Sequence, residues 1–167
     1  MKTFVKTAFI LIVFSMFAFI GCTNKPSTPS STERLANLQQ QVDNDIVAYQ
    51  NFEANDFENL RTSFIRIDSE LGSIAPQEVQ SYYEKLNLAQ AYLQQFLEVK
   101  TSLKNKLDYS KKQLTDLQYD LENAMINDSL FSVYFERETI AADTLHNQIL
   151  YFKDRFGSCQ KELDALK

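Results

Sequence analysis

The longest pattern in this chain is a spacing of apolar residues by three and four that runs from Pro76 for seven heptads. Such spacing puts the side chains on one stripe of an α-helix and is typical of coiled-coil packing. Twelve of the fourteen seam positions are apolar or aromatic, and the exceptions are Lys100 and Ser110. The pattern predicts a helix over residues 76–126, with Pro76 in its first turn. The residues that end the helix begin at Asn127. The seam positions are Val79, Tyr82, Leu86, Ala89, Leu93, Phe96, Lys100, Leu103, Leu107, Ser110, Leu114, Leu117, Leu121 and Ala124.

A similar stripe upstream predicts a first helix over residues 32–71. It is disturbed only around Glu53 to Asp56. Ser31 or Thr32 is the expected N-cap, and Gly72 the expected end. The stripe consists of Leu35, Leu38, Val42, Ile46, Tyr49, Phe52, Phe57, Leu60, Phe64, Ile67 and Leu71.

A third stripe predicts a helix over residues 129–166, capped by Asp128 or Ser129. Gly157 lies inside it and should weaken it locally, by about 1 kcal/mol relative to alanine. The stripe consists of Phe131, Phe135, Ala142, Leu145, Ile149, Phe152, Phe156, Cys159, Leu163 and Leu166.

Short connections make neighbouring helices antiparallel, so the predicted fold is all-α, an elongated antiparallel three-helix bundle with coiled-coil-like packing. Flanking residues of the middle helix widen its stripe, as contact with two partner helices requires; they are Tyr83, Tyr92, Leu97 and Val99. The alternative breaks the middle helix between Lys104 and Ser110 and gives four shorter helices.

Composition and charge exclude several fold classes and one class of partner. Three glycines and three prolines in 167 residues are too few for a many-stranded barrel or a doubly wound α/β fold. The formal charge of -5 and the lack of an arginine-rich tract argue against nucleic acid as a partner. A basic stretch on the middle helix should lie level with acidic residues of both neighbours and set the register. The residues are Lys100, Lys104, Lys106, Lys111 and Lys112, facing Asp43, Asp45, Asp143 and Asp154.

The first 21 residues have the pattern of an export signal. Lys2 and Lys6 precede an apolar run of 13 residues, from Ala8 to Ile20, that only Ser15 interrupts. A membrane-spanning helix needs about 20 apolar residues, so the run suits a signal peptide better than a permanent anchor.

The end of this run, Phe19-Ile20-Gly21-Cys22, resembles the lipobox of bacterial lipoprotein precursors. The resemblance implies cleavage after Gly21, lipidation of Cys22, and a folded domain that acyl chains anchor to the membrane. Phe19 departs from the usual leucine, and the alternative is an ordinary secretory signal with a chance cysteine. Because Thr23 rather than aspartate follows the cysteine, the resemblance favours the periplasmic leaflet of the outer membrane over the inner membrane.

The expected organisation has three parts: a signal peptide over residues 1–21, a lipidated cysteine and flexible tether over 22–31, and a helical domain over 32–167. The tether is rich in serine, threonine and proline and has no apolar residue to bury. The general plan is similar to that of small helical lipoproteins of Gram-negative envelopes.

Unequal helix lengths predict a candidate partner surface. If the third helix ends near Leu166, it reaches only the level of Ala89, so residues beyond that level would belong to a two-helix hairpin. Two helices cannot enclose an aromatic stripe, which would then bind another envelope protein or a second copy. The alternative is that these side chains bury one another across the hairpin. The surface consists of Phe57, Phe64, Ile65, Ile67, Tyr82 and Tyr83.

Signals of chemistry are few. The single histidine, His146, has no second histidine with which to complete a metal motif, and Cys159 falls on an apolar stripe, where a thiol is unreactive. We therefore expect no metal, no cofactor beyond the lipid on Cys22, and no enzymatic activity. The expected function is that of a membrane-anchored, periplasm-facing adaptor or spacer that binds proteins. The alternatives are a periplasmic chaperone and a module that binds cell wall or a small ligand.

Overall fold

The computed structural model describes residues 29–166, and almost all of this part of the chain is helical. The first rod comprises α1 (Ser31–Asn51), a π-helical segment (Phe52–Phe57) and α2 (Glu58–Glu70), followed by a short 3-10 turn (Leu71–Ser73). The other two rods are α3 (Pro76–Glu122) and α4 (Asp128–Asp164). Within residues 29–166, no helix combines the length and the apolar composition needed to span a bilayer.

The three rods form an antiparallel bundle, which confirms the predicted fold. Contacts between side chains show which levels meet: Lys111 pairs with Asp43 at 2.7 Å between α3 and α1, and Phe96 meets Phe152 between α3 and α4, with ring centroids 5.3 Å apart. Since α3 runs unbroken over 47 residues, it is about 70 Å long. The alternative of four shorter helices is therefore wrong.

The heptad seam of α3 provides its whole buried face. Every residue that the structure buries on α3 occupies a predicted seam position; these are Leu86, Ala89, Leu93, Phe96, Leu103, Leu107, Ser110, Leu114 and Leu117. The flanking residues do not widen that face. Tyr83, Leu97 and Val99 are exposed, and only Tyr92 is half-buried. The buried side chains of the seam pack against both neighbours, because in a three-helix bundle the seam points at the axis between them.

The disturbance in the first stripe is the π-helical segment. Phe52 and Phe57 are five residues apart, and in a regular α-helix they would point in different directions. The wider π turn brings both side chains to the buried face, where they are 2% and 4% exposed. The predicted helix over residues 32–71 is thus one rod with a local widening.

The middle helix begins at Pro76 as predicted, and the other helix ends differ from prediction by one to four residues. The N-caps are Ser30, whose Oγ accepts from the Glu33 N–H, and Asn127, whose Oδ1 accepts from the Leu130 N–H. Each cap precedes the expected one because the capping residue is extended while its successors are already helical. The middle helix ends at Glu122, before the expected residue 126, since Ala124 turns the chain with a φ of 52°.

The core divides into two clusters along the bundle axis. The larger surrounds Phe96, whose ring meets those of Tyr49, Phe52, Phe57, Phe152 and Phe156 at centroid distances of 4.9 to 6.3 Å. The smaller lies at the end where α1 begins and includes Leu35, Leu38, Val42, Leu114, Leu117, Phe131 and Ala142. Within residues 29–166, two polar side chains are buried, Asp45 and Ser110, and both fall at the junction between the clusters.

Candidate functional site

The predicted partner surface is mostly covered by the chain itself. The Tyr82 hydroxyl donates to the Leu166 carbonyl at 2.7 Å, so the residues just after α4 reach the level of Tyr82, about two helical turns beyond the expected level of Ala89. The proposed two-helix tip is correspondingly shorter, because α4 lies alongside the other two rods over those turns.

The burial of the six residues of the predicted partner surface reflects this position of the C-terminal residues. Phe57 and Ile67 are 4% and 1% exposed and belong to the larger core cluster. Phe64 and Tyr82 are half-buried against the same cluster, which is the arrangement expected if these side chains bury one another. Tyr83 and Ile65 remain exposed. The six residues do not form one open aromatic surface.

The lipidation site falls outside the described residues. Cys22, the cleavage position Gly21 and the whole signal segment precede residue 29, and so does most of the expected tether. The final tether residues belong to the bundle, because Ser30 caps α1 and Ser31 is its first residue.

A buried acid and the single histidine form a pair that the sequence did not predict. Asp45 is 4% exposed, and its Oδ1 lies 2.7 Å from Nδ1 of His146 on α4. Asp45 and Ile46 both fit the three-four spacing between Val42 and Tyr49. Hydropathy favours Ile46 for the seam, yet the structure buries Asp45 and leaves Ile46 half-buried. Of the two acidic residues expected on α1, Asp43 therefore pairs with Lys111 of the basic stretch. Asp45 instead points inward and contacts the imidazole of His146.

Asp45, His146 and Ser110 are the residue types of a hydrolytic triad, but their geometry is not that of one. In such a triad the serine hydroxyl bonds to the second imidazole nitrogen. The Ser110 Oγ is buried and has no hydrogen-bond partner among residues 29–166, and the Asp45 Oδ2 has none either. We interpret the three residues as a polar layer between the core clusters.

A groove runs between α3 and α4 on the side away from α1. It contains three adjoining hollows of about 250, 260 and 230 Å³. Glu138 borders the first and second, and Lys106 and Gln148 border the second and third. We call this feature the α3–α4 groove; it extends from Asp120 and Tyr134 at the α3–α4 turn towards Tyr151.

Apolar side chains line this groove without being covered. Tyr109 is 62% exposed, Tyr134 41%, Tyr151 40% and Val99 38%. Ser110, whose buried hydroxyl has no hydrogen-bond partner in the part of the chain that the structure describes, borders the central hollow. A row of half-exposed aromatic side chains along a channel between two helices is typical of a surface that binds another protein.

Charged groups in the groove are incompletely paired. Among residues 29–166, Lys106 and Glu138, which border the hollows, form no ion pair, and neither does Arg137 next to Glu138 on α4. Burial raises the pKa of the Glu138 carboxyl. The Arg155 guanidinium lies over the rings of Tyr92 and Tyr151, 6.0 and 5.5 Å from their centroids.

The other candidate residues, Cys159 and the possible metal ligands, lie in surroundings that are typical of structural roles. Cys159 is buried in the larger cluster, as predicted for a small core residue, and burial raises the pKa of its thiol. In the part of the chain from 29 to 166, no group of three or more histidine, cysteine, aspartate or glutamate side chains is arranged to hold a metal ion.

Comparison with protein-family models, with curated proteins and with solved structures finds no match to this chain. Function must therefore be argued from the residues and the geometry.

Proposed function

We propose that this protein is a lipid-anchored adaptor of the bacterial envelope, whose bundle faces the periplasm and binds other proteins without catalysing a reaction. The observation that carries the binding function is the row of uncovered apolar side chains along the α3–α4 groove. The groove replaces the distal tip as the binding surface, because the tip residues are largely buried and the groove residues are not.

The anchoring half of the proposal is supported by the sequence Phe19-Ile20-Gly21-Cys22 after a short apolar run. Three acyl chains on Cys22 would hold the protein at a membrane almost permanently, since each buried CH₂ contributes about 0.8 kcal/mol. The outer membrane is the proposed destination because Thr23 follows the cysteine.

Anchoring is tested by labelling bacteria that express the full chain with a palmitate analogue. The protein should carry the label, and Cys22→Ala should lose it and accumulate with its leader attached. Cys159→Ala is the matched control and should stay labelled, because that thiol lies in the core. A labelled Cys22→Ala protein would contradict the lipidation site.

Binding is tested by placing a photoactivatable amino acid in the groove at Tyr109 and irradiating intact cells. We expect a discrete crosslinked species that weakens when Tyr134→Ala is added. The control position is Ile140, which is 62% exposed but borders none of the three hollows. Equal yields from Tyr109 and Ile140, or none from Tyr109, would contradict an adaptor role for the groove.

A further inference from the structure

Exposed apolar side chains gather at the end of the bundle that contains the turn between α3 and α4. In this turn and in the ten residues of each rod nearest to it, five large apolar side chains are 41 to 65% exposed. In the ten residues of each rod nearest the opposite end, the large apolar side chains with such exposure are Ile65 and Tyr83. We call the five residues the turn patch; they are Tyr119, Met125, Leu130, Val133 and Tyr134.

Three members of the turn patch lie on α4 and point towards the end of the bundle. Val133 and Tyr134 follow Leu130 by three and four residues, so the three side chains share one side of the helix. Side chains of an α-helix tilt towards its N-terminus, and α4 begins at this end of the bundle, at Asp128. At 1.5 Å per residue, the three residues lie about 3 to 9 Å from the start of α4.

The first rod begins at this same end. Arg34 on α1 lies over the ring of Phe135 on α4, 4.5 Å from its centroid, so the N-cap Ser30 is level with the first turns of α4. Ser30 follows Cys22 by eight residues, and a chain of that length spans at most about 28 Å. The opposite end of the bundle is about 70 Å away. A lipid on Cys22 therefore keeps the turn patch, rather than the opposite end, close to the bilayer.

We infer that the turn patch contacts the surface of the membrane that anchors Cys22. This inference rests on the proposed lipid anchor and adds an orientation, in which the α3–α4 turn lies on the bilayer and the opposite end points away from it. Apolar faces of proteins enter the boundary between headgroups and acyl chains by about 5 to 10 Å, which matches the depth of the patch. Tyr119 and Tyr134 suit this boundary because each has an apolar ring and a polar hydroxyl.

The charges around the turn patch favour a lipid surface without net charge. Five acidic residues near this end form no ion pair among residues 29–166, and the basic residues in the same stretches are Arg34 and Arg137. Anionic lipids would repel this excess of negative charge. Zwitterionic headgroups would not, and their ammonium groups can pair with carboxylates that stay at headgroup level. The acidic residues are Glu33, Asp120, Glu122, Asp128 and Glu136.

The contact is tested with a polarity-sensitive fluorophore attached to Met125→Cys. The full-length lipidated variant is purified from bacterial membranes, labelled, and incorporated into phosphatidylcholine vesicles that contain a lipid with a nitroxide quencher on its acyl chain. We expect emission at shorter wavelength and a several-fold loss of intensity to the quencher. Ile65→Cys is the control, because that position is 53% exposed but lies at the opposite end, and it should be quenched little. Cys159 should remain unlabelled because it is buried.

Three results would overturn the inference. Equal quenching at Met125→Cys and Ile65→Cys would mean that the bundle lies along the surface. An unshifted and unquenched label at Met125→Cys would mean that the turn does not touch the bilayer. A shift without quenching would mean that protein, such as a second copy, covers the patch. In each case, protein that stays with the vesicles keeps the lipid anchor intact, whereas protein that leaves them contradicts the anchor itself.

A charge placed in the patch tests whether its apolar side chains make the contact. In the labelled Met125→Cys protein, Leu130→Asp should reduce quenching several-fold, because a carboxylate resists transfer out of water. Leu150→Asp is the matched control: Leu150 is on the same helix and is 48% exposed against 44% for Leu130, but it lies about 30 Å further from the turn. Both variants should retain the circular dichroism of the unmodified protein, since both positions are exposed. Equal quenching in the two variants would overturn the inference.

Lipid composition tests the kind of surface. Replacing half of the phosphatidylcholine by phosphatidylglycerol should reduce the quenching at Met125→Cys, and added salt should restore it by screening the repulsion. Stronger quenching in the anionic vesicles would overturn the assignment to a zwitterionic surface.

Discussion

At the scale of single residues, the buried polar layer has the largest consequence. Asp45 is ionisable and lies inside the bundle, where a charge is costly unless it is paired. Its one hydrogen-bonded partner among the described residues is His146, whose side chain is 43% exposed. The pair joins α1 to α4 at one level, so it also favours a single register of these helices.

Removing the histidine should leave the Asp45 carboxylate buried and unpaired. We expect His146→Ala to lower the free energy of unfolding by about 2 kcal/mol, less than for a fully buried pair because the imidazole is half-exposed. Urea unfolding followed by circular dichroism measures this. In an Asp45→Leu background, where no charge needs a partner, the same substitution should cost much less. An equal loss in both backgrounds would mean that the imidazole acts through packing alone.

Tyr49 provides a dependence of stability on alkaline pH. Its hydroxyl donates to the Lys100 carbonyl at 3.1 Å, and burial, followed by the nearby Glu53 carboxylate, raises the pKa of Tyr49 from 10.0 to about 12. The folded state holds the phenolic proton more tightly than the unfolded state. This difference contributes to the free energy of unfolding. The contribution is fully present below pH 10 and is lost as the pH rises from 10 to 12.

The measurement is the free energy of unfolding at several pH values from 8 to about 12. Tyr49→Phe keeps the ring and removes the titrating hydroxyl, so its stability should fall less over this range than that of the unmodified protein. Parallel curves for the two proteins would contradict a role for Tyr49 in the alkaline loss.

At the scale of elements, the π-helical segment reconciles a five-residue spacing with a continuous buried stripe. It contains one residue more than a regular α-helix would need between Phe52 and Phe57. Deleting a residue from its exposed side should convert it to ordinary α-helix while keeping both aromatic side chains inside.

We expect deletion of the exposed Ala54 to change the free energy of unfolding by no more than about 1 kcal/mol. Deletion of Asn44, an exposed residue of α1, is the matched control. It would rotate Leu35, Leu38 and Val42 by about 100° relative to the rest of the rod and should cost several kcal/mol. Thermal unfolding by circular dichroism compares the two, and equal losses would contradict this account of the π segment.

Gly157 lies inside α4, and no atom beyond its chain neighbours and its own helix backbone lies within 4 Å of the position that a Cβ would take. Gly157→Ala should therefore raise the free energy of unfolding by about 1 kcal/mol, because alanine loses less backbone entropy in a helix. Gly72→Ala is the control, since Gly72 has equal space but lies in the short 3-10 turn. A gain no larger than that of the control would show that α4 is not limited by its glycine.

At the scale of the whole molecule, Phe96 connects the three rods. Its ring contacts aromatic side chains of α1, the π segment and α4, and it is fully buried. Because the bundle is narrow, this one ring contacts both neighbouring rods at the same level.

Phe96→Ala should lower the free energy of unfolding by about 4 kcal/mol, because it removes this central ring and leaves a cavity. Tyr119→Ala, on the same helix but 60% exposed, should change it by no more than about 0.5 kcal/mol. Denaturant unfolding of both variants provides the test. Similar losses would mean that the aromatic cluster does not hold the rods together.

The sequence by itself determined where the helices lie, which stripe each buries and that they form an antiparallel bundle. Three-four spacing is a local property, and a helix with one apolar face must bury it against neighbours. Even the π segment left a local trace, the disturbance around Glu53 to Asp56.

Tertiary structure alone decided that Asp45 rather than Ile46 points inward, that the residues after α4 reach the level of Tyr82, and that the side chains lining the α3–α4 groove stay exposed. These features depend on the axial and rotational positions of one helix against the others, and a shift by one turn would change them all. Periodicity gives the direction of a side chain around its own helix, but burial depends on what lies opposite.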